Sequence, residues 1–293
     1  MEHLSACPLC GSYSLRFFLE TLDFTLSRNP YKIVQCTECG FKFTNPRPDA
    51  AEISRFYTSE EYISHSGTRK GIINFLYHYV RNITLDHKVN LVKKTAGSED
   101  IQILDYGCGT GDFLNRCRHK GWKVTGIEPE KKAVEYARKK FDLDVRGCEN
   151  LNSLQEGCFD VVTLWHVLEH LHRLDETAIH LIRILKPGGF IVLALPNCNS
   201  RDARYYGTYW AAWDVPRHLY HFTPADVNRF AGKYRLHLTD TLPMYFDSFY
   251  VSMLSEKYLQ GNILSGVLQG LLSNVSAFFR PGTYSSQIYI MRK

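Results

Sequence analysis

The chain has 293 residues, 44% apolar and 22% charged, with a formal net charge of +5, a composition that fits one large globular domain plus a small one. The charge is mild and no dense Lys/Arg stripe appears, so nucleic acid is not an expected partner. The opening Met-Glu-His-Leu-Ser-Ala-Cys lacks the basic and apolar regions of a signal peptide, and the apolar stretch 262–279 is broken by Ser265, Gln269, Ser273 and Asn274. A cytoplasmic protein without a membrane span is expected, with that stretch packing as an amphipathic helix.

Nine cysteines occur. Cys7-Pro-Leu-Cys10-Gly and Cys36-Thr-Glu-Cys39-Gly are two C-x-x-C knuckles, each followed by glycine. Two such pairs at this separation match a four-thiolate zinc site, since a two-residue gap lets both sulfurs of a knuckle point at one ion. Cys7, Cys10, Cys36 and Cys39 are therefore the expected ligands of a structural zinc, with redox chemistry as the rival reading. The other five cysteines stand alone and read as small buried hydrophobes in a reducing compartment. Residues 1–46 are expected to form a zinc ribbon, with a hairpin around Ser14–Leu19 and Ile33–Gln35 between the knuckles and Phe41-Lys-Phe-Thr44 after the second. A module this small buries too little surface to be stable alone, and the metal would make up the difference.

Residues 47–98 read as a helical connector or lid, with Phe75, Leu76, Tyr79, Val80 and Ile83 at helical spacing. From Ile101 strands and helices alternate, the pattern of a parallel sheet covered on both faces. Ile103-Leu-Asp-Tyr-Gly-Cys-Gly-Thr-Gly111 runs an apolar strand into a loop with glycine at every second position, where the backbone can turn and approach a ligand closely. Lys123-Val-Thr-Gly-Ile-Glu128 then ends a second strand on an acid, about 20 residues on, where an acid can accept hydrogen bonds from a ribose. Further motifs are Phe159-Asp-Val-Val-Thr-Leu-Trp-His-Val-Leu-Glu-His-Leu171 and Leu185-Lys-Pro-Gly-Gly-Phe-Ile-Val-Leu-Ala-Leu-Pro196.

These four motifs, in this order, resemble the class I S-adenosylmethionine-dependent methyltransferases, in a methyltransferase-23-like subgroup. The resemblance implies a Rossmann-like, seven-stranded, mostly parallel α/β sheet over residues 99–293, closed by a reversed hairpin from Leu236–Leu242 and Ser286–Met291. It also implies S-adenosyl-L-methionine as cofactor. By motif, Asp105, Tyr106 and the loop of Gly107, Gly109 and Gly111 would hold the methionine moiety and Glu128 the ribose. Pro129 or Ile127 would flank the adenine, Trp165 and His166 would lie at the methionine end, and Glu149 is the candidate for an adenine contact, with Cys148 and Asn150 as alternatives.

Residues 197–223 interrupt the alternation with many Tyr, Trp, His and Arg, and Thr223-Pro-Ala-Asp226 is a helix start. Trp213-Asp-Val-Pro-Arg-His-Leu-Tyr-His221 resembles a segment that lies over the cofactor's methyl end in that subgroup. His218, His221 and His166 are the catalytic candidates, because imidazole exchanges protons near neutrality. His218 and His221 would share a face in a helical turn. Metal ligation by this pair is the rival idea, weakened because no carboxylate sits at suitable spacing. His170 reads as a residue that orients others, and Arg217 as an anion binder or a partner of Asp214. Tyr57, Tyr62, Tyr205, Tyr206, Tyr209 and Trp210 are candidate walls of an acceptor pocket. The expected function is methyl transfer to a small-molecule acceptor, at a hydroxyl of a sugar, lipid or secondary metabolite. Sugar C-methylation, RNA base methylation with the ribbon as RNA reader, and a non-catalytic scaffold are the alternatives.

Overall fold

The two cysteine knuckles bracket a hairpin. In the computed structural model, which describes residues 1–57 and 72–293, β1 (Leu15–Leu22) and β2 (Pro30–Cys36) pair antiparallel with Leu15 opposite Cys36. A third strand, β3 (Lys42–Thr44), adds along the other edge of β2. The connector makes a short 3-10 turn at Ile53–Tyr57 and then the long helix α1 (Ile72–Ala96). Val89 and Val92 are buried on α1 while Ile83 is exposed, so its packing face lies further along than Val80 and Ile83 indicate. The side chains of Phe75, Leu76 and Tyr79, and all of Tyr62, lie outside the described residues.

After α1 come β4 (Gln102–Tyr106), α2 (Asp112–His119), β5 (Lys123–Ile127), α3 (Lys131–Phe141), β6 (Val145–Arg146), β7 (Phe159–Trp165), α4 (Leu174–Ile184) and β8 (Leu185–Pro196). Ile103, Leu104, Val161, Val162 and Val192 are wholly or almost wholly buried, as continuous apolar strands covered on both faces must be. Helix α4 buries Leu174, Ala178, Leu181 and Ile184, one stripe at helical spacing. The rest of the chain is α5 (Arg201–Tyr206), β9 (Tyr220–His221), α6 (Pro224–Lys233), β10 (His237–Pro243), α7 (Asp247–Leu259), α8 (Ile263–Phe279) and β11 (Ser286–Arg292). Thr223 and Asp226 form a reciprocal capping box at the start of α6.

The large sheet has the order β10-β11-β8-β7-β4-β5-β6. β11 runs antiparallel to both β8 and β10, while β4, β5, β6, β7 and β8 are parallel. The chain winds outward from β4 to β6 and then returns to β7 beside β4. That reversal opens a crevice at the carboxyl ends of β4 and β7, where ligands bind in sheets of this kind.

Two features depart from the sequence reading. The ribbon's sheet has four strands in the order β1-β2-β3-β9, and β9 comes from the aromatic segment, with Lys42 opposite His221 and Phe43 opposite Tyr220. Residues 1–46 therefore do not close their own sheet. Phe41 packs on Phe222 with ring centroids 5.2 Å apart, and the ribbon's core runs without a break into that of the large domain. The second departure is α8, which packs on α7 through small residues. A Cβ at Gly266 would lie 2.6 Å from the Met253 Cα, and one at Gly270 2.8 Å from the Phe249 Cα. Leu264, Leu268, Leu271 and Phe278 are exposed, so the large apolar side chains of this amphipathic helix point outward.

Candidate active site and the cysteine cluster

Asp105, the penultimate residue of β4, is buried and accepts a 2.6 Å hydrogen bond from the Thr163 hydroxyl on neighbouring β7. Burial raises its carboxyl to about 7, against the opposing pull of that hydroxyl and of Lys88. Beyond Tyr106, Gly107, Gly109 and Gly111 take φ of 79°, 53° and 79°, a conformation that side-chain-bearing residues rarely adopt. A Cβ at Gly107 would lie 2.4 Å from Val167, in the loop after β7. At Gly109, by contrast, nothing lies within 4 Å of the same position, so the apex of the loop faces open space.

Glu128, just past β5, leans back over this loop. Its carboxylate accepts from the Gly109 N–H at 2.8 Å and the Glu130 N–H at 3.0 Å. Burial raises its pKa, and the two amides oppose the rise. A carboxylate has about four acceptor positions, so positions remain for a ligand. Pro129 is exposed beside it, and Glu149, also exposed, folds back over Gly147 and accepts from Asn150 at 3.0 Å. The Tyr106 hydroxyl faces the Cys148 sulfur at 3.8 Å.

Across the crevice, Trp165 ends β7 with its ring edge-on to Phe113 and under the Lys88 ammonium, 4.3 Å from the ring centroid. Burial lowers the Lys88 pKa, countered by Asp105 and Asp247. His166 follows with a left-handed φ of 58°, which costs on the order of 1–3 kcal/mol in a residue of this type. Its side chain is 32% exposed and sits between two acids, with Nε2 3.0 Å from Asp247 and Nδ1 3.4 Å from Glu169. Burial disfavours its charged form, yet Asp247 and Glu169 outweigh that and hold its pKa near 9.

The other two histidines are more deeply buried. His218 is in a loop, its Nδ1 2.9 Å from the Ala212 carbonyl, and His221 is in β9, its Nε2 3.1 Å from the Thr44 hydroxyl. Both are buried, and they do not share a helical turn. Arg217 is buried as well and binds Asp214 and Asp23 at 2.6 and 3.0 Å, so it pins the β1–β2 turn and is not an exposed anion site. Tyr206 and Trp210 are core residues held by Glu256 and Asp202, whereas Tyr205 and Tyr209 are exposed. Sequence reasoning missed Lys88, Asp247, Thr163 and Glu169. Thr163 and Glu169 both stand in a quoted motif, Glu169 beside His170.

In the ribbon, the Cys7 and Cys39 sulfurs are 3.6 Å apart, as are those of Cys10 and Cys36, and all four lie within 4.8 Å of one another. A tetrahedral ion with 2.3 Å bonds to sulfur needs separations of about 3.8 Å. Each knuckle closes identically, with the Gly11 N–H on the Cys7 carbonyl and the Gly40 N–H on the Cys36 carbonyl. The cluster fits a zinc ribbon.

A family model described as a methyltransferase domain matches residues 78–239, more than half of the chain. The chain belongs to this methyltransferase family. Similar proteins include the ubiquinone biosynthesis O-methyltransferase of Rickettsia prowazekii (strain Madrid E), 27% identical over 195 residues, which cover 62% of this chain and 74% of that one. The protein of the same name from Xanthomonas oryzae pv. oryzae (strain PXO99A) is 30% identical over 187 residues, 58% and 75% of the two chains. Among solved structures, magnesium protoporphyrin IX methyltransferase from Synechocystis PCC 6803 with bound SAH superposes with a TM-score of 0.55 at 14% identity, covering 84% of this chain and all of that one. At that identity the likeness is one of fold. The methyltransferase uses S-adenosylmethionine, and the open glycine loop beside a pinned acid is a cradle that fits it. Among the described residues no helix is long and apolar enough to cross a membrane.

Proposed function

We propose that this methyltransferase modifies a hydroxyl oxygen of a small molecule, with His166 receiving the proton that the acceptor loses, in the neutral form that gains population as pH rises towards about 9. The observation that carries the reading is the placement of His166: partly exposed at the carboxyl end of β7, next to the cofactor loop, and flanked by two carboxylates. S-adenosylmethionine supplies an activated methyl group, and alignment with water excluded supplies much of the acceleration. In this reading Asp105 and the Gly107–Gly111 loop hold the amino acid end of the cofactor, with Tyr106 and Trp165 beside it. Glu128 takes the ribose hydroxyls, and Pro129 and Glu149 lie at the adenine end. Asp247 and Glu169 stabilise the imidazolium formed when His166 accepts the proton. His218 and His221, first candidates by sequence, act as props for the segment around them. The curated relatives are named as O-methyltransferases, which favours oxygen over carbon or a nucleic acid base. Four cysteines hold a structural zinc.

The test is turnover on a panel of hydroxylated small molecules, with S-adenosylhomocysteine binding measured in parallel. His166→Gln is expected to lower kcat by about 100-fold or more, as loss of a proton acceptor does, with binding nearly unchanged. Methylation of carbon or of RNA in preference to any hydroxyl would overturn the reading.

A further inference from the structure

Glu169 is 1% exposed, and neither of its carboxylate oxygens accepts a hydrogen bond. Its ion-pair neighbour is His166, at 3.4 Å. Arg217 is engaged by Asp214 and Asp23 and does not neutralise it. A buried carboxylate without hydrogen bonds is costly, and such groups in native proteins point to something that completes them.

Two imidazoles meet it. One ligand atom from each of Glu169, His170 and His218 lies within 4.8 Å of the other two. The His170 Nδ1 is 3.0 Å from the Arg217 carbonyl, with the Tyr57 hydroxyl 2.9 Å away on the same nitrogen, and the His218 Nδ1 is 2.9 Å from the Ala212 carbonyl. A carbonyl only accepts, so each Nδ1 carries the hydrogen and each Nε2 keeps its lone pair. Imidazoles that hold a metal are oriented in this way, by a hydrogen bond from the other nitrogen to a carbonyl or carboxylate. The frame is fixed by main-chain ties: the Leu219 N–H donates to the Glu169 carbonyl at 2.8 Å, and the Thr44 hydroxyl to the His218 carbonyl at 2.8 Å.

We propose that Glu169, His170 and His218 bind a divalent transition-metal ion, at a site separate from the four cysteines. Two imidazoles and one carboxylate suit zinc, cobalt, manganese or ferrous iron. An ion bonding three such atoms at about 2.1 Å separates them by about 3–4 Å, so modest side-chain adjustment closes the site. The ion clamps the loop that carries His166 to the segment that lends β9 to the ribbon, and three protein ligands leave a coordination position open. The carboxylate that His218 lacks in its own stretch of sequence comes from the loop after β7.

The test is equilibrium dialysis of the full chain, stripped by chelator, against cobalt(II) alone, with elemental analysis and visible spectra. Two ions per chain are expected. Glu169→Gln and His218→Asn should each lower this to one while the thiolate-to-cobalt absorption of the ribbon persists, which also reports that the variant is folded. Cys36→Ser should remove the thiolate absorption and spare the second ion. On the unvaried chain, cobalt should broaden the His170 and His218 imidazole resonances, a readout independent of any variant. One ion per chain, or two that survive both substitutions with those resonances unbroadened, would overturn the site.

Discussion

Glu128 is held by two backbone amides, those of Gly109 and Glu130, and this makes its contribution measurable. Glu128→Ala removes both the ligand's acceptor and the loop's brace. Hydrogen bonds to a charged group are worth about 1.5–3 kcal/mol, so affinity for S-adenosylhomocysteine should fall by about 10- to 100-fold. His221→Ala should change it little, because that ring is spent on Thr44. Calorimetry that ranked the two the other way would reverse the roles assigned here. Asp105 permits a second prediction. Its folded pKa, about 7, lies above the ordinary carboxyl value of 3.8, so the folded state binds the proton more tightly than the unfolded state. Its contribution to stability is fully present below pH 3.8 and is lost as pH rises through about 7. Asp105→Asn should flatten the decline in stability across that window, followed by urea denaturation at stepped pH. Asp105, the glycines and Glu128 were readable in the sequence because strand, loop and acid lie within two dozen residues. Lys88 and Asp247 were not, since they reach the site from helices outside the four motifs and carry no local pattern.

Elements differ in how far their sequence betrays them. The central parallel strands announce themselves as unbroken apolar runs, and α6 by its cap. β9 has two residues, too few for any period, and its pairing with β3 depends on where the whole 197–223 segment lies. The orientation of α8 was hidden for another reason: glycine and serine lined up on one face permit close approach to α7, and hydrophobicity alone does not say which face is buried. Arg217 shows what fastens the borrowed strand. Its two carboxylate partners come from the β1–β2 turn and from the aromatic segment. Arg217→Met should destabilise the protein by about 3–5 kcal/mol, the usual cost of leaving buried charges without their partner. A urea midpoint unchanged by the substitution would show that the pairing carries no such weight.

At the scale of the whole molecule, the ribbon and the catalytic domain share a core and a strand, so disturbing one should be felt in the other. Cys36→Ser is expected to cost one zinc per chain and to lower Tm by roughly 10 °C, checked by elemental analysis and calorimetry on one sample. A normal zinc content would sink the four-cysteine assignment. The ribbon itself was visible in the spacing of its cysteines, which encodes ligand geometry directly. Its union with the larger domain was not, because nothing in residues 1–46 names the strand that completes them.

That union sets an order on the making of the protein. Thr44 and its partner His221 are 177 positions apart, and at about 5–20 residues per second a ribosome needs roughly 10–35 s to pass from one to the other. Throughout that interval the ribbon, made before the segment that completes it, presents the open edge of β3 to whatever is nearby, and an unpaired edge invites the wrong strand. A newborn chain is therefore exposed at the ribbon's edge, and it stays so until the segment beside the active site has been synthesised.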